Sequence, residues 1–260
     1  MRLEVPQSAI KLGFLNDSTS THSSRTIMLS ELNLLLDARP RLVDIDQYRS
    51  VVIEDNVLLK KTEATRRESF QRLRRLYVLN HHTLLFRVMR DLWVTDVQAR
   101  PLLALLCSAA RDPILRTTAD LILSITKGTT VTPQMFSQAT SAHFPNRYNP
   151  STLAKIGRNA ASSWQQSGHL SGKLRKLRSR AKSRPSAVAY ALLLGHLCGT
   201  RGGPLFNTMW AQLLDTPAHI LHEQAILASH SGWIEYRRAG DVIDISFHYL
   251  LREGAWEHKP

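Results

Sequence analysis

The stretch STLAKIGRNAASSWQQSGHLSGKLRKLRSRAKSR, residues 151–184, decides the fold of this chain. Its first half carries apolar residues at helical spacing, with Ser151 as the expected cap and Gly168 as the terminator. Its second half alternates two leucines with cations. A helix that ends in a Gly-His-Leu turn and precedes a short basic strand is typical of a winged helix, so the pattern predicts a recognition helix, a strand and a wing.

A second strand pattern lies near the C-terminus. Residues 233–238 and 242–247 are rich in β-branched and aromatic side chains, and Ala239-Gly240 lies between them as a turn. This pattern predicts a β-hairpin. Helices are predicted before it at residues 186–197, 206–214 and 218–229, which repeats the order of helices followed by a hairpin.

The N-terminal half has a different pattern, because residues 27–145 contain no long alternation of apolar and polar residues of the kind that predicts a strand. Helical spacing recurs throughout, and residues 84–93, 101–110, 114–126 and 133–142 are among the predicted helices. The Ser/Thr-rich residues 16–25 are predicted to be a flexible connection. We therefore expect a mainly α protein with a helical-bundle domain at residues 1–145 and a winged-helix-like basic domain, containing the short hairpin, at residues 146–260.

The composition of the chain favours a polyanionic partner. Its 260 residues include 34 Lys+Arg against 21 Asp+Glu, a net charge of +13. Residues 1–150 carry 20 − 14 = +6 and residues 151–260 carry 14 − 7 = +7. The longest apolar stretch, residues 187–199, is short of the ~20 residues of a membrane span. No secretory leader is apparent, so we expect a cytoplasmic protein without a membrane partner, with Cys107 and Cys198 as reduced thiols.

The densest positive charge lies in the second half of the opening stretch. Its twelve residues 173–184 hold seven cations and no acid. Such a run favours phosphate binding, because each neutralised phosphate releases counterions; a solvated flexible linker is the alternative. The predicted DNA-binding residues here are Lys173, Arg175, Lys176, Arg178, Arg180, Lys182 and Arg184.

Three further groups are candidates for DNA contacts. Ser162, Ser163 and Gln165 give the predicted recognition helix a polar flank suited to phosphates or base edges, although they are also ordinary surface residues. The remaining candidates are cations on two other segments, with a solvated amphipathic helix and gatekeeping charges on an edge strand as the respective alternatives. They are Arg66, Arg67 and Arg74 in the helix predicted to begin at Thr62 or Thr65, and Arg237 and Arg238 in the hairpin.

Enzymatic patterns are weak in this sequence. Residues 199–204 lack the Lys-Ser/Thr of a phosphate-binding loop, and His219 with His222 lacks the His-Glu-x-x-His order of a zinc helix. His81-His82 are expected to be surface histidines, because neighbouring helical residues point about 100° apart. Acidic pairs at residues 44 and 46 and at residues 54 and 55 leave a metal-dependent nuclease as an alternative. We predict no catalytic residues, no cofactor and no metal ligands.

Two blocks resemble the BrxA family of bacterial BREX phage-defence systems. Residues 51–67, VVIEDNVLLKKTEATRR, are similar to a family block with Glu-Asn, Lys-Lys or Lys-Arg and Thr-Arg-Arg. Residues 151–156 together with 166–170 resemble a second block, a helix that closes on a Gly-His-Leu turn. The resemblance implies a NusB-like helical bundle and a non-catalytic protein that binds double-stranded DNA and works with other BREX defence proteins. An adaptor that docks acidic partner proteins of the same operon is the alternative.

Overall fold

The computed structural model describes residues 5–16, 20–39 and 43–252. It is mainly helical, with a small antiparallel sheet and a β-hairpin near the C-terminus, which confirms the predicted fold class. From the N-terminus the α-helices are α1 (Gln7–Ile10), α2 (Leu29–Ala38), α3 (Ile45–Ile53), α4 (Glu63–Tyr77), α5 (Leu84–Trp93), α6 (Arg100–Arg111), α7 (Pro113–Thr117), α8 (Ala119–Ser124), α9 (Pro133–His143), α10 (Pro150–Gln166), α11 (Pro185–Leu197), α12 (Met209–Gln212), α13 (Ala218–His230) and α14 (His248–Leu251).

Helix starts follow from capping chemistry. The Thr62 hydroxyl accepts the Thr65 amide of α4, and the Asp112 carboxylate accepts the Leu115 amide of α7. Proline at position 113 fits the first turn of α7, where an amide hydrogen has no helical partner. The single helix predicted at residues 114–126 is two short helices, α7 and α8, and the Thr118 hydroxyl between them donates to the Leu115 carbonyl.

The sheet is built from three very short strands, β1 (Thr130–Val131), β2 (Leu170–Ser171) and β3 (Lys176–Arg178). β3 lies in the middle and pairs antiparallel with both neighbours. Helices α9 and α10 lie between β1 and β2 in the chain. A strand, two helices and a hairpin that closes back on the first strand have the order and pairing of a winged helix, as predicted from the opening stretch, although β1 was not predicted.

The winged helix lies across the predicted domain boundary. β1 and α9 precede residue 145, whereas α10, β2 and β3 follow it, and α9 packs along α10. The buried core is one cluster that extends from Val5 to Leu250. A boundary after residue 145 therefore does not separate two packed units, because the sheet and the helix pair both cross it.

The C-terminal elements pack around α11, which is buried on nearly every side. The predicted hairpin is confirmed as β4 (Glu235–Ala239) and β5 (Val242–Ser246), paired antiparallel and resting on α13. In the described part of the chain this hairpin forms a sheet of its own, so the wing of the winged helix is the β2–β3 turn instead. None of the described helices is both long and apolar enough to cross a bilayer.

The segment predicted as a flexible connection is a packed part of the fold. Residues 17–19 lie outside the described part, but Thr21–Ser23 forms a 3-10 helix against α10. Thr21 and His22 are buried. The prediction failed here because a Ser/Thr-rich composition is typical of linkers but equally supplies hydrogen bonds for a buried polar contact.

Candidate nucleic-acid interface

Helix α10 occupies the position of the recognition helix. It begins at Pro150, and the Asn149 side chain rather than Ser151 caps it by accepting the Thr152 amide at 2.8 Å. Lys155 and Arg158 are exposed on its outer face, and the half-buried Ser162 continues the same stripe. The sequence prediction included Ser162 but missed Lys155 and Arg158, although two cations three residues apart share one face of a helix.

The flank of α10 next to this stripe is covered by the N-terminal segment. Asn159 Nδ2 donates to the His22 carbonyl at 2.9 Å, and the Ser163 hydroxyl accepts the Ile27 amide at 3.0 Å. Farther along, Gln166 Oε1 accepts the Leu29 amide at 3.0 Å. Ser163 was predicted to contact DNA, but it is buried and holds protein backbone, so the surface of α10 that stays exposed is the stripe that carries Lys155 and Arg158.

Ser163, His22 and Asp112 form a buried chain of polar contacts. His22 Nε2 lies 2.8 Å from the Ser163 hydroxyl, and His22 Nδ1 lies 3.0 Å from an Asp112 carboxylate oxygen. The hydroxyl donates its one hydrogen to the Asn159 carbonyl, so His22 Nε2 is the donor in its contact. The order matches that of a serine-hydrolase triad, but all three groups are buried, so the chain anchors the N-terminal segment instead of presenting a nucleophile.

Asp112 is the anchor of this chain. Its carboxylate accepts the Ser20 hydroxyl at 2.6 Å and the Thr21 amide at 2.8 Å in addition to capping α7. Burial alone would raise the pKa of Asp112, but the His22 charge and these hydrogen bonds outweigh it and lower the pKa to about 2. The carboxylate is therefore ionised at neutral pH while buried.

The wing is the turn between β2 and β3. Lys173, Leu174 and Arg175 are exposed there, and Leu174 is 100% exposed. The Arg175 guanidinium donates to the Thr130 hydroxyl of β1 at 2.7 and 3.0 Å, which fixes its stem across the sheet. Gly172 has φ +90°, and a Cβ there would lie 2.1 Å from the Arg175 carbonyl oxygen. Only glycine therefore allows this tight turn.

Lys176 joins the wing to the recognition helix. Its ammonium donates to Gln165 Oε1 at the end of α10. Partial burial lowers the pKa of Lys176. Both residues were predicted to contact DNA; in the structure they hold β3 against α10 and lie only half-buried beside the wing.

Arg178 is not available to DNA. It is 4% exposed and makes a two-pronged ion pair with Asp215, with Nη1–Oδ2 at 2.8 Å and Nη2–Oδ1 at 2.9 Å. It also donates to the Ile122 carbonyl at 2.8 Å. The prediction of a phosphate contact is corrected here, because the side chain lies inside the protein and its charge is already neutralised.

The rest of the basic run leaves the wing. Arg180 and Lys182 are exposed, whereas Arg184 forms an ion pair with Asp96 at 2.6 Å. The run has no acid in its own sequence, yet Asp215 and Asp96 neutralise two of its cations from distant parts of the chain. It is an ordered strand and a connection to α11 rather than a flexible linker.

The other predicted cations lie on different elements. On α4, Arg67 pairs with Glu63, the Arg66 Nε is buried without a hydrogen bond in the described structure, and Arg74 is exposed. On the hairpin, Arg237 lies opposite Asp244, and Arg238 donates to the Gly240 carbonyl at 3.1 Å. The structure brings neither group into the winged helix.

The segment of sequence that forms the winged helix contains no acidic residue. The sequence has no Asp or Glu between Asp120 and Asp215, an interval that contains the entire sheet, α9 and α10. Within it Lys155 and Arg158 on the helix and Lys173 and Arg175 on the wing are exposed. This acid-free interval was visible in the sequence and indicates the candidate interface better than the run at residues 173–184 alone.

The structure gives little support to the enzymatic alternatives considered from the sequence. Asp55 pairs with Arg39. His222 contacts the Tyr236 hydroxyl at 2.9 Å, and its ring centroid lies 4.0 Å from that of Phe206. His81 and His82 lie in the turn before α5 rather than on a helix, so the argument from helical spacing does not apply to them. Their rings are tilted by 42° with centroids 3.9 Å apart, and Asp44 lies beside His81.

No protein-family model matches this chain, and no curated protein matches it.

Proposed function

We propose that this protein binds double-stranded DNA through its winged helix, with α10 in the major groove and the β2–β3 wing beside the phosphate backbone. The observation that carries the proposal is an acid-free winged helix whose exposed faces bear cations on both the helix and the wing. Lys and Arg supply most of the affinity for a duplex, since each phosphate contact releases counterions.

The proposal has a definite contact set. Lys155 and Arg158 line the outer face of α10, while Lys173 and Arg175 lie on the wing. Ser162 adds a hydroxyl on the same helical stripe. Cations that contact phosphates rather than base edges position a protein on DNA without reading its sequence. We therefore expect binding with weak sequence preference.

Fluorescence anisotropy with a duplex at two salt concentrations tests the proposal. We expect affinity that falls as salt rises, and at least tenfold weaker binding for Lys155→Gln/Arg158→Gln because two phosphate contacts are lost. Arg237→Gln/Arg238→Gln is the matched control, since it removes the same charge from the hairpin. Absence of binding, or equal losses in the two double variants, would contradict the proposal.

An adaptor role is the second candidate, and Leu174 favours it. A fully exposed leucine between Lys173 and Arg175 fits an acidic protein partner that has an apolar pocket. Co-purification of a partner that survives nuclease and high salt, and is lost in Leu174→Ser, would support this role over DNA binding.

A place in BREX-type phage defence is the wider proposal, supported by the two sequence blocks that resemble the BrxA family. It predicts that a strain carrying the intact defence operon becomes sensitive to phage when Lys155→Gln/Arg158→Gln replaces the native residues. Plating efficiency measures this, and unchanged resistance with a normally expressed variant would contradict it.

A further inference from the structure

Three side chains from two distant segments converge at the start of α3. Asp44 precedes that helix, and His81 and His82 lie in the turn between α4 and α5. One ligand atom from each residue lies within 4.8 Å of the other two. We propose that these residues bind a first-row divalent transition-metal ion such as Zn²⁺ or Co²⁺, outside the winged helix and independently of its function.

The distances suit one shared ion. His81 Nδ1 lies 3.3 Å from Asp44 Oδ1. Two donors bound at the usual zinc lengths of about 2.1 Å stand about 3.4 Å apart around a tetrahedral ion. A metal placed between these atoms therefore needs little movement of either side chain.

The His81 nitrogen has the environment of a ligand atom. Nδ1 is out of contact with solvent and makes no hydrogen bond within the described structure, even though the Asp44 carboxylate is near it. The pair is close enough for charge attraction but is not aligned as a hydrogen bond. A buried nitrogen without a hydrogen-bond partner destabilises the folded protein, and coordination of a metal ion would satisfy its lone pair.

The donor set selects the class of ion. Two imidazoles and one carboxylate suit zinc, cobalt, nickel or ferrous iron, whereas magnesium and calcium prefer oxygen ligands alone. Asp44 and His82 are exposed, so the remaining coordination positions open to solvent. The local fold supports this arrangement because the His82 amide donates to the Asn80 side chain at 3.0 Å, which orders the turn.

Cobalt titration of the tag-free full chain, followed by visible absorption, tests the site, with Zn²⁺ displacing Co²⁺. We expect one Co²⁺ per chain, complete loss in His81→Gln/His82→Gln, and at least tenfold weaker binding in Asp44→Asn. Asparagine has nearly the same shape as aspartate and is an equally good residue before a helix, so that variant removes the ligand charge without disturbing the start of α3.

His248→Gln is the matched control. His248 Nδ1 also lies 3.3 Å from a carboxylate, that of Glu235, on an exposed surface. Replacement of His248 should leave the affinity and the stoichiometry of Co²⁺ binding unchanged. The inference is overturned if the wild-type chain binds no stoichiometric Co²⁺, or if binding persists in His81→Gln/His82→Gln.

Discussion

His169 is a buried histidine with both ring nitrogens in contact. Nε2 donates to the Leu213 carbonyl at 3.1 Å, and Nδ1 lies 2.9 Å from the Ser167 hydroxyl. Burial, reinforced by the Arg178 charge, lowers the pKa of His169 to about 4, against the raising effect of Asp215. The ring is therefore neutral in the folded protein at neutral pH.

This pKa predicts a pH dependence of stability. The folded pKa of about 4 lies below the ordinary value of 6.5, so between them the unfolded chain binds more protons. The free energy of unfolding should therefore fall by up to about 3 kcal/mol as pH drops through this window. Urea unfolding measures it. His169→Gln should weaken the dependence of the free energy of unfolding on pH, while the control His248→Gln should leave it unchanged. The same pH dependence in the wild-type chain and both variants would contradict the assignment to His169.

The contact between α9 and α10 depends on one glycine. A Cβ on Gly157 would lie 2.2 Å from the Pro133 carbonyl oxygen and 2.3 Å from the Ser137 hydroxyl. The Ser137 hydroxyl already donates to the Leu153 carbonyl at 2.9 Å, so it is held in place. At Gly157 the backbone of α10 therefore packs directly against the backbone of α9 at Pro133.

Gly157→Ala tests this packing. Alanine favours a helix by about 1 kcal/mol over glycine, but overpacking costs about 1–3 kcal/mol, and here the clash involves backbone. We expect a net loss in the free energy of unfolding, measured with urea. Gly195→Ala in α11 is the control, because its nearest neighbours are side-chain atoms at 3.1 Å or more. A stabilised Gly157→Ala protein would contradict the packing argument.

Elements were predictable in proportion to their length. The pattern gave α5 at residues 84–93 and the hairpin strands near residues 235 and 242, because each spans enough residues to show a period. β1 has two residues, which show no alternation; it is a strand because it pairs with β3 far along the chain. The winged helix was predicted from α10 and the wing, while its first strand and helix were assigned elsewhere.

At the scale of the whole molecule, ion pairs join segments that are distant in the sequence. Arg178 of the winged helix and Asp215 after α12 form such a pair inside the protein. The cationic run at residues 173–184 was predicted as uncompensated because its acids are absent locally, whereas Asp215 and Asp96 reach it in space. The candidate site was therefore predictable as a region, and the roles of its members were not.

Arg178→Gln should destabilise the fold, because the Arg178 side chain lies inside the protein. Removing one partner of a buried ion pair leaves an unpaired charge and costs about 3–5 kcal/mol. Arg180→Gln, with an exposed side chain two residues away, should stay within about 0.5 kcal/mol of the wild-type chain. Urea unfolding compares them. Arg178→Gln/Asp215→Asn should recover part of the loss, and no recovery would contradict a charge-based cause.

The packing of the N-terminal segment against α10 has a consequence for folding during synthesis on the ribosome. His22 contacts Ser163, which is translated 141 residues later. At roughly 5–20 residues per second, the segment waits on the order of 10–30 s for its partner to emerge. Its Ser/Thr-rich composition, which resembles that of a linker, keeps it hydrated during the wait and then supplies the hydrogen bonds that close the fold.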